Sequence, residues 1–258
     1  MQAKPSLEDT LSLMRDLRAR CDWDAAQTHE SLRPYLIEEA YEVDDAIRAG
    51  DDVKLREELG DLLLQVLFHA VVAEERGAFT MYDIAEGFIT KMKGRHPHLY
   101  GDGVRQSWEE MKAKRRSSIV DGLPADLPAL HRAFRLQDRA AGVGFDWPDV
   151  AGPIAKVEEE LREVRDELEE KSPLKPSGPV DDQAYQRLEE EIGDLLFAVV
   201  NLSRKAGVHP ALALDKANVK FARRFGAVEQ LAAARGFQPG EASLEQLDGM
   251  WDEVKDAE

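Results

Sequence analysis

Glu58-Leu59-Gly60-Asp61-Leu62-Leu63 and Glu191-Ile192-Gly193-Asp194-Leu195-Leu196 are two copies of one stretch. Each follows an acidic cluster, Glu38-Glu39-Ala40-Tyr41-Glu42 in the first case and Glu159-Glu160-Leu161-Arg162-Glu163 in the second. Each is followed by a basic pair, Lys91 with Arg95 and Lys220 with Arg224, and then by a Trp block, Trp108-Glu109-Glu110-Met111-Lys112 and Trp251-Asp252-Glu253-Val254-Lys255. Four blocks recurring in one order point to duplication of a helical module. The expected division is a first module over 1–120, a linker over 121–128 holding Gly122, Pro124 and Pro128, and a second module over 129–258 with an insertion at about 171–182.

Outward from these stretches the periodicity is helical. Apolar residues at Leu7, Leu11, Met14 and Leu17 fit a first helix, followed by a polar loop through Cys21 to Asp24. Ser31 is expected to cap a helix that stops at Gly50. Asp51 or Asp52 should cap one to Arg76, closed by Gly77, and Thr80 one that breaks near Pro97. A charged helix is expected from Trp108 to Arg116. In the second module the pattern predicts helices over 129–141, 153–170, 185–206 and 210–235, and a last one capped by Ser243. The Gly144-Phe145-Asp146-Trp147 loop echoes the one around Trp23. β-branched residues are few and alternation is absent, so the fold class is all-α.

The 258 residues carry 51 Asp and Glu against 34 Lys and Arg, a formal net charge of −17. Such a surface repels a phosphate backbone and an acidic membrane, which argues against nucleic acid and membrane partners. One cysteine, Cys21, excludes an intrachain disulfide, and the first residues lack the pattern of a secretory leader, so the expected location is cytoplasmic. The apolar run from Leu62 to Ala73 is shorter than the ~20 residues of a membrane span and reads as a buried helix.

Along a helix, Glu38, Glu42 and Asp45 fall within about 60° of one another, as do Glu159 and Glu163, with Glu39 and Glu160 to one side. Glu58 with Asp61, and Glu191 with Asp194, are pairs three apart on one face. Like charges so placed repel by roughly 0.2–0.5 kcal/mol per pair. A solvated acidic face is the plain reading of Glu38, Glu39 and Glu42 alone. The acids of the second helix are harder to leave to solvent, because apolar residues surround its axis from Leu62 to Ala73 and again from Leu195 to Leu202. Oxygen-only side chains facing each other from two helices suit Mg2+, with Mn2+ able to substitute. No Glu-x-x-His element of a di-iron bundle and no zinc set is present, and His69 reads as a core residue. Mg2+ commonly bridges carboxylates to substrate phosphates, so a polyphosphate substrate follows. Lys220 and Arg224, one turn apart, can reach phosphate oxygens. Gly60 and Gly193, each costing ~1 kcal/mol inside a helix, suggest a close helix approach near the acids. Trp251 and Trp108 could stack on a base.

The blocks EEAYE (38–42), ELGDLL (58–63), KMKGRHPH (91–98), VGFDW (143–147), EEELREV (158–164), EEIGDLLF (190–197) and KANVKFARRF (216–225) resemble the tandem-domain MazG nucleoside triphosphate pyrophosphohydrolases over nearly the whole chain. The resemblance implies two MazG-like helical bundles related to the all-α dimeric dUTPase type, a homodimer, Mg2+ dependence, and hydrolysis of NTP or dNTP at the α-phosphorus to the monophosphate and pyrophosphate. The metal ligands it implies are Glu159, Glu160, Glu163, Glu191 and Asp194, and in the first copy Glu38, Glu39, Glu42, Glu58 and Asp61. Lys91 with Arg95 and Lys220 with Arg224 would contact phosphates, and Glu160 would orient or deprotonate the attacking water. Aligning Lys91 on Lys220 sets Ile89 against Asn218 and Gly87 against Lys216. The second copy therefore carries polar groups for sugar or phosphate that the first lacks, and most of the activity is expected there. A narrower dUTP or alarmone hydrolase and a non-catalytic acidic scaffold are the competing readings.

Overall fold

The computed structural model describes residues 4–101, 118–171, 182–237 and 240–258. Every regular element among them is a helix. The expected helix from Trp108 to Arg116 and residues 172–181 of the expected insertion lie outside the described residues. Two compact units divide the chain, Met1–Arg105 and Gln106–Glu258.

Unit 1 contains α1 (Leu7–Arg20), α2 (Asp22–Ala26), α3 (His29–Ala49), α4 (Asp52–Glu75), α5 (Met81–Gly94) and α6 (Pro97–Tyr100). Side chains set their starts. The Thr80 hydroxyl accepts from the Asp83 N–H while Asp83 accepts from the Thr80 N–H at 2.7 Å, and the Asp51 carboxylate accepts from Val53 and Lys54 at the head of α4. Gly50, at φ 66°, ends α3 in the left-handed conformation that a side chain would disfavour. Two expectations need correction. Thr28, rather than Ser31, caps α3, with Ser31 as its reciprocal partner three residues on. The Cys21 to Asp24 segment forms the short helix α2 instead of a loop.

α4 packs against α3, α1 and α5. Leu11 and Met14 of α1, Leu32 of α3, and Leu67, Phe68, Val71 and Val72 of α4 make one buried cluster. Each such side chain contributes about 1.5–3 kcal/mol by leaving water. Arg15 donates to Glu74 at 3.0 Å, and Arg18 donates through Nε to Glu75 at 2.9 Å, tying α1 to the end of α4.

Unit 2 contains α7 (Ala129–Ala141), α8 (Ala151–Lys171), α9 (Asp182–Lys205), α10 (Pro210–Ala234) and α11 (Leu244–Asp256). Ser243 caps α11 reciprocally with Gln246, and Pro210 opens α10 where its missing N–H has no helical partner to lose. α9 packs on α8 and α7, and α10 on α11, α7 and α9. Arg187 donates to Glu167 at 3.2 Å, holding the start of α9 against α8. The expected linker lies within this unit, and the buried Arg139 of α7 donates to the carbonyls of Ile119 (2.7 Å) and Asp121 (3.0 Å).

The repeated helices are not buried on nearly all sides, contrary to what their apolar outline predicts. Leu64 and Val66 of α4, and Leu196, Phe197 and Val199 of α9, are exposed. Gly60 and Gly193 do not mark a close approach either, since a Cβ at either position would meet nothing within 4 Å. Both lie on the open side of their helices. No helix among the described residues is long and apolar enough to cross a membrane.

Candidate metal centre and adjoining cleft

In unit 1, α3 carries Glu38, Glu39 and Glu42, and α4 carries Glu58 and Asp61. Packing of these helices brings one carboxylate oxygen each of Glu39, Glu58 and Asp61 within 4.8 Å of one another. In unit 2, α8 and α9 do the same with Glu160, Glu191 and Asp194, which occupy the same three positions of the repeat. Glu38, Glu42, Glu159 and Glu163 stand outside these two trios. Glu163 nevertheless shares a hydrogen bond with Glu160, and this contact, together with burial and the Glu160 and Glu191 charges, raises its pKa.

The two trios differ in what balances them. Glu160 is 4% exposed, and Lys156 one turn earlier in α8 reaches its Oε1 at 2.6 Å and Glu159 Oε1 at 2.8 Å. The lysine is held charged well above its ordinary range, and Glu159 below its own, by these contacts. Tyr35 takes the place of Lys156 in the first repeat. There Lys54 Nζ lies 4.0 Å from the buried Glu58. Burial first, then the neighbouring acids, push Glu39 and Glu58 above the usual carboxylate range, and Glu39 Oε2 is buried with no hydrogen-bond partner among the described residues. Oxygen ligands crowded in this way fit a hard divalent cation, whose charge removes the repulsion that solvent cannot screen.

A cleft of about 810 Å3 opens beside the second trio, with Glu160 and Asp194 in its wall. Leu136, Ala140, Phe145, Trp147 and Phe197 give it an apolar side. Lys156, Asn201 and Arg204 join the two acids at the polar side. The loop bearing Phe145 and Trp147 is fastened by Asp146, which accepts from Lys205 Nζ at 3.0 Å and from Arg204. Burial alone would raise the Asp146 pKa, but these cations outweigh it and hold the carboxylate ionised. Gly152 opens α8 under the Trp147 ring, where a Cβ would come within 2.4 Å of the indole.

The basic residues are arranged separately. Lys216, Lys220 and Arg224 follow at one-turn intervals on α10, with Asn218 between the first two, and none of the four is in the cleft wall described above. Arg224 donates through Nη2 to Glu258 at 2.6 Å, and Arg223 pairs with the same carboxylate at 2.6 Å. Trp251 packs on Phe221 (ring centroids 5.4 Å apart) with the Arg224 guanidinium 5.9 Å from its ring. In unit 1, Lys91 lies in the last turn of α5 and Arg95 at its C-cap. His69 is not a satisfied core histidine: Nδ1 lies 2.8 Å from His29 Nδ1, while the buried Nε2 has no partner among the described residues.

Sequence reasoning missed Lys156, Asn201 and Gln137. For the first two the signal was present in the repeat itself. Lys156 falls opposite Tyr35, and Asn201 opposite Phe68, each a polar residue where the other copy has an aromatic one.

Each of the two tandem helical units sets a carboxylate trio that could hold a metal ion on a pair of packed helices. The MazG nucleotide pyrophosphohydrolase domain is matched twice in this chain, over residues 27–100 and 153–227. A Thermotoga maritima protein named nucleoside triphosphate pyrophosphohydrolase/pyrophosphatase MazG is 45% identical over 257 residues, covering 96% of this chain and 95% of its own. An Escherichia coli K12 protein named nucleoside triphosphate pyrophosphohydrolase is 43% identical, covering 94% and 93%. A Mycolicibacterium smegmatis protein of that same name is 42% identical over 152 residues, 54% of this chain and 47% of its own. The chain belongs to the MazG family.

Proposed function

We propose that this chain hydrolyses nucleoside and deoxynucleoside triphosphates to monophosphate and pyrophosphate, using Mg2+ or, in its place, Mn2+, chiefly in unit 2. The observation that carries this reading is the convergence of Glu160, Glu191 and Asp194 beside a cleft and under the hold of Lys156. The names of its relatives supply the reaction class. When bound by the trio, Mg2+ would neutralise phosphate oxygens and make a water more acidic.

The chain's own groups do the rest. Lys156 fixes Glu160 through one carboxylate oxygen, and Glu160 orients the water that attacks the α-phosphorus. A bond forms from the water oxygen to that phosphorus as the bond to the bridging oxygen breaks, and pyrophosphate departs. Lys220 and Arg224, with Lys216 and Asn218 on the same helix, bind the departing pyrophosphate or the sugar, and Trp251 backs Arg224. Lys91 and Arg95 are the weaker counterparts in unit 1, whose Glu38, Glu39, Glu42, Glu58 and Asp61 form the second metal cluster.

The working form is a homodimer in the cytoplasm that clears nucleotide pools. The exposed apolar residues Leu196, Phe197 and Val199 on α9 support burial against a second copy. Pyrophosphate release across a nucleotide panel tests the reading. Release with Mg2+ or Mn2+ that EDTA abolishes is expected, and release that survives EDTA contradicts it.

A further inference from the structure

α11 brings a carboxylate to the basic row of α10. Met250, fully buried, seats α11 against α10, and both Trp251 and Glu258 reach Arg224 from that side. Glu258 Oε2 accepts from Nε (3.1 Å) and from Nη2 (2.6 Å) of Arg224, while Oε1 pairs with Arg223 at 2.6 Å. The Arg223 side chain is 65% exposed and that of Arg224 only 21%, so Arg224 is the partner whose conformation the carboxylate decides. Nη1 of Arg224 has no partner among the described residues. The Arg224 hydrogen bond first, and then the charges of Arg223, Arg224 and Lys220, outweigh burial and hold Glu258 below the ordinary carboxylate range.

We infer that Glu258 is a positioning residue for the phosphate-contacting arginine: it grips Arg224 along the Nε edge and leaves Nη1 to the departing pyrophosphate. The inference rests on the role proposed above for Arg224 and deepens it. A guanidinium is a rigid planar fork, so fixing one edge fixes the other. An arginine ordered before the substrate arrives loses less freedom as charge develops on the leaving group. The Glu258 charge does not close the site to a polyanion, because Arg223, Arg224 and Lys220 outnumber it.

The first repeat provides the internal contrast. Aligned on Trp108 and Trp251, the first copy has Arg115 where the second has Glu258. Aligned on Lys91 and Lys220, it has Gly94 where the second has Arg223. Neither position can give Arg95, the counterpart of Arg224, an anionic partner.

Steady-state pyrophosphate release from a nucleoside triphosphate with Mg2+ tests the inference. Glu258→Ala should lower kcat about 10- to 100-fold, the order expected when a transition-state contact is misplaced. KM should change less, because Arg224 binds most tightly to the charge that develops on the leaving group. Glu258→Gln, whose amide oxygen can still accept from Nε and Nη2, should recover most of the loss. In an Arg224→Ala background Glu258→Ala should cost nothing further, since the group it positions is gone. Melting by circular dichroism should match wild type, and Glu258→Met, of similar length and without a carboxylate, replaces the alanine variant if that one fails to fold. Wild-type kcat in the alanine or methionine variant overturns the inference. A fall in KM overturns it too, since Glu258 would then compete with phosphate for Arg224. A loss that Glu258→Gln does not recover, or that persists undiminished in the Arg224→Ala background, assigns Glu258 a merely structural role and overturns it as well. Arg224→Ala with unaltered kcat and KM would instead remove the arginine from the site, and wild-type protein that releases pyrophosphate from no triphosphate would overturn the hydrolase reading itself.

Discussion

Phe68 and Asn201 stand at the same position of the repeat, seven residues after Asp61 and Asp194, yet the first is core and the second lines a cleft. The duplicated helix has thus been put to two uses. In α4 its second half joins Leu11, Met14 and Leu32 in closing unit 1, and in α9 the corresponding turn faces an opening.

That difference sets a stability prediction. Phe68→Ala should destabilise unit 1 by about 3–5 kcal/mol, the usual result of emptying a buried aromatic site. Asn201→Ala should stay within about 1 kcal/mol, because its side chain packs against no closed core. Calorimetric unfolding of both variants checks the contrast, and similar losses would contradict it.

Lys156 should matter to activity without touching the reacting phosphorus. It holds Glu159 and Glu160 together, and loss of a residue that orients a metal ligand typically reduces metal affinity or activity about 10- to 100-fold. Lys156→Met should therefore weaken Mn2+ binding and pyrophosphate release together. Unchanged Mn2+ binding would show that Glu160 needs no such support.

Much of this organisation is legible in the sequence. Asp51, Thr80 and Ser243 cap their helices as expected, because a short polar side chain before a periodic apolar run has few other uses. The pairs Glu58 with Asp61 and Glu191 with Asp194 follow from one-turn spacing, whereas Glu39 and Glu160, which that spacing sets to one side, join them only through the packing of two helices. What was illegible depends on contacts across space. Thr28 and Ser31 are equally good caps in isolation, and only their reciprocal bonding decides between them. The five residues of α2 are too few to display a period. An apolar outline around α9 cannot tell packing within the chain from exposed residues such as Phe197. The cleft needed α7 beside α9, and no spacing within one helix reports that Gln137 lies next to Phe197.

The His29–His69 pair makes unit 1 sensitive to acid. Burial first, then the neighbouring His29, lowers the pKa of His69 below its ordinary value of 6.5. The folded state therefore binds fewer protons there than the unfolded chain, and stability rises with pH through that range. His69 contributes fully above the ordinary imidazole value, and its contribution is lost as pH falls through it toward the lowered one. Denaturant midpoints should fall between pH 7 and pH 5. His69→Leu, which carries the residue found at the equivalent Leu202, should flatten the profile. An equally steep profile in that variant would assign the effect to other groups, among them His131, whose pKa burial and His209 also lower.

Both units carry a carboxylate trio, and we propose that unit 2 carries the turnover. Pyrophosphate release by Glu191→Gln and Glu58→Gln, compared at saturating Mg2+ and nucleoside triphosphate, tests it most directly. Glu191→Gln should lose about 100-fold or more in turnover, as expected for removing a metal ligand, and Glu58→Gln less than about tenfold. Equal losses, or a larger loss in Glu58→Gln, would contradict the account.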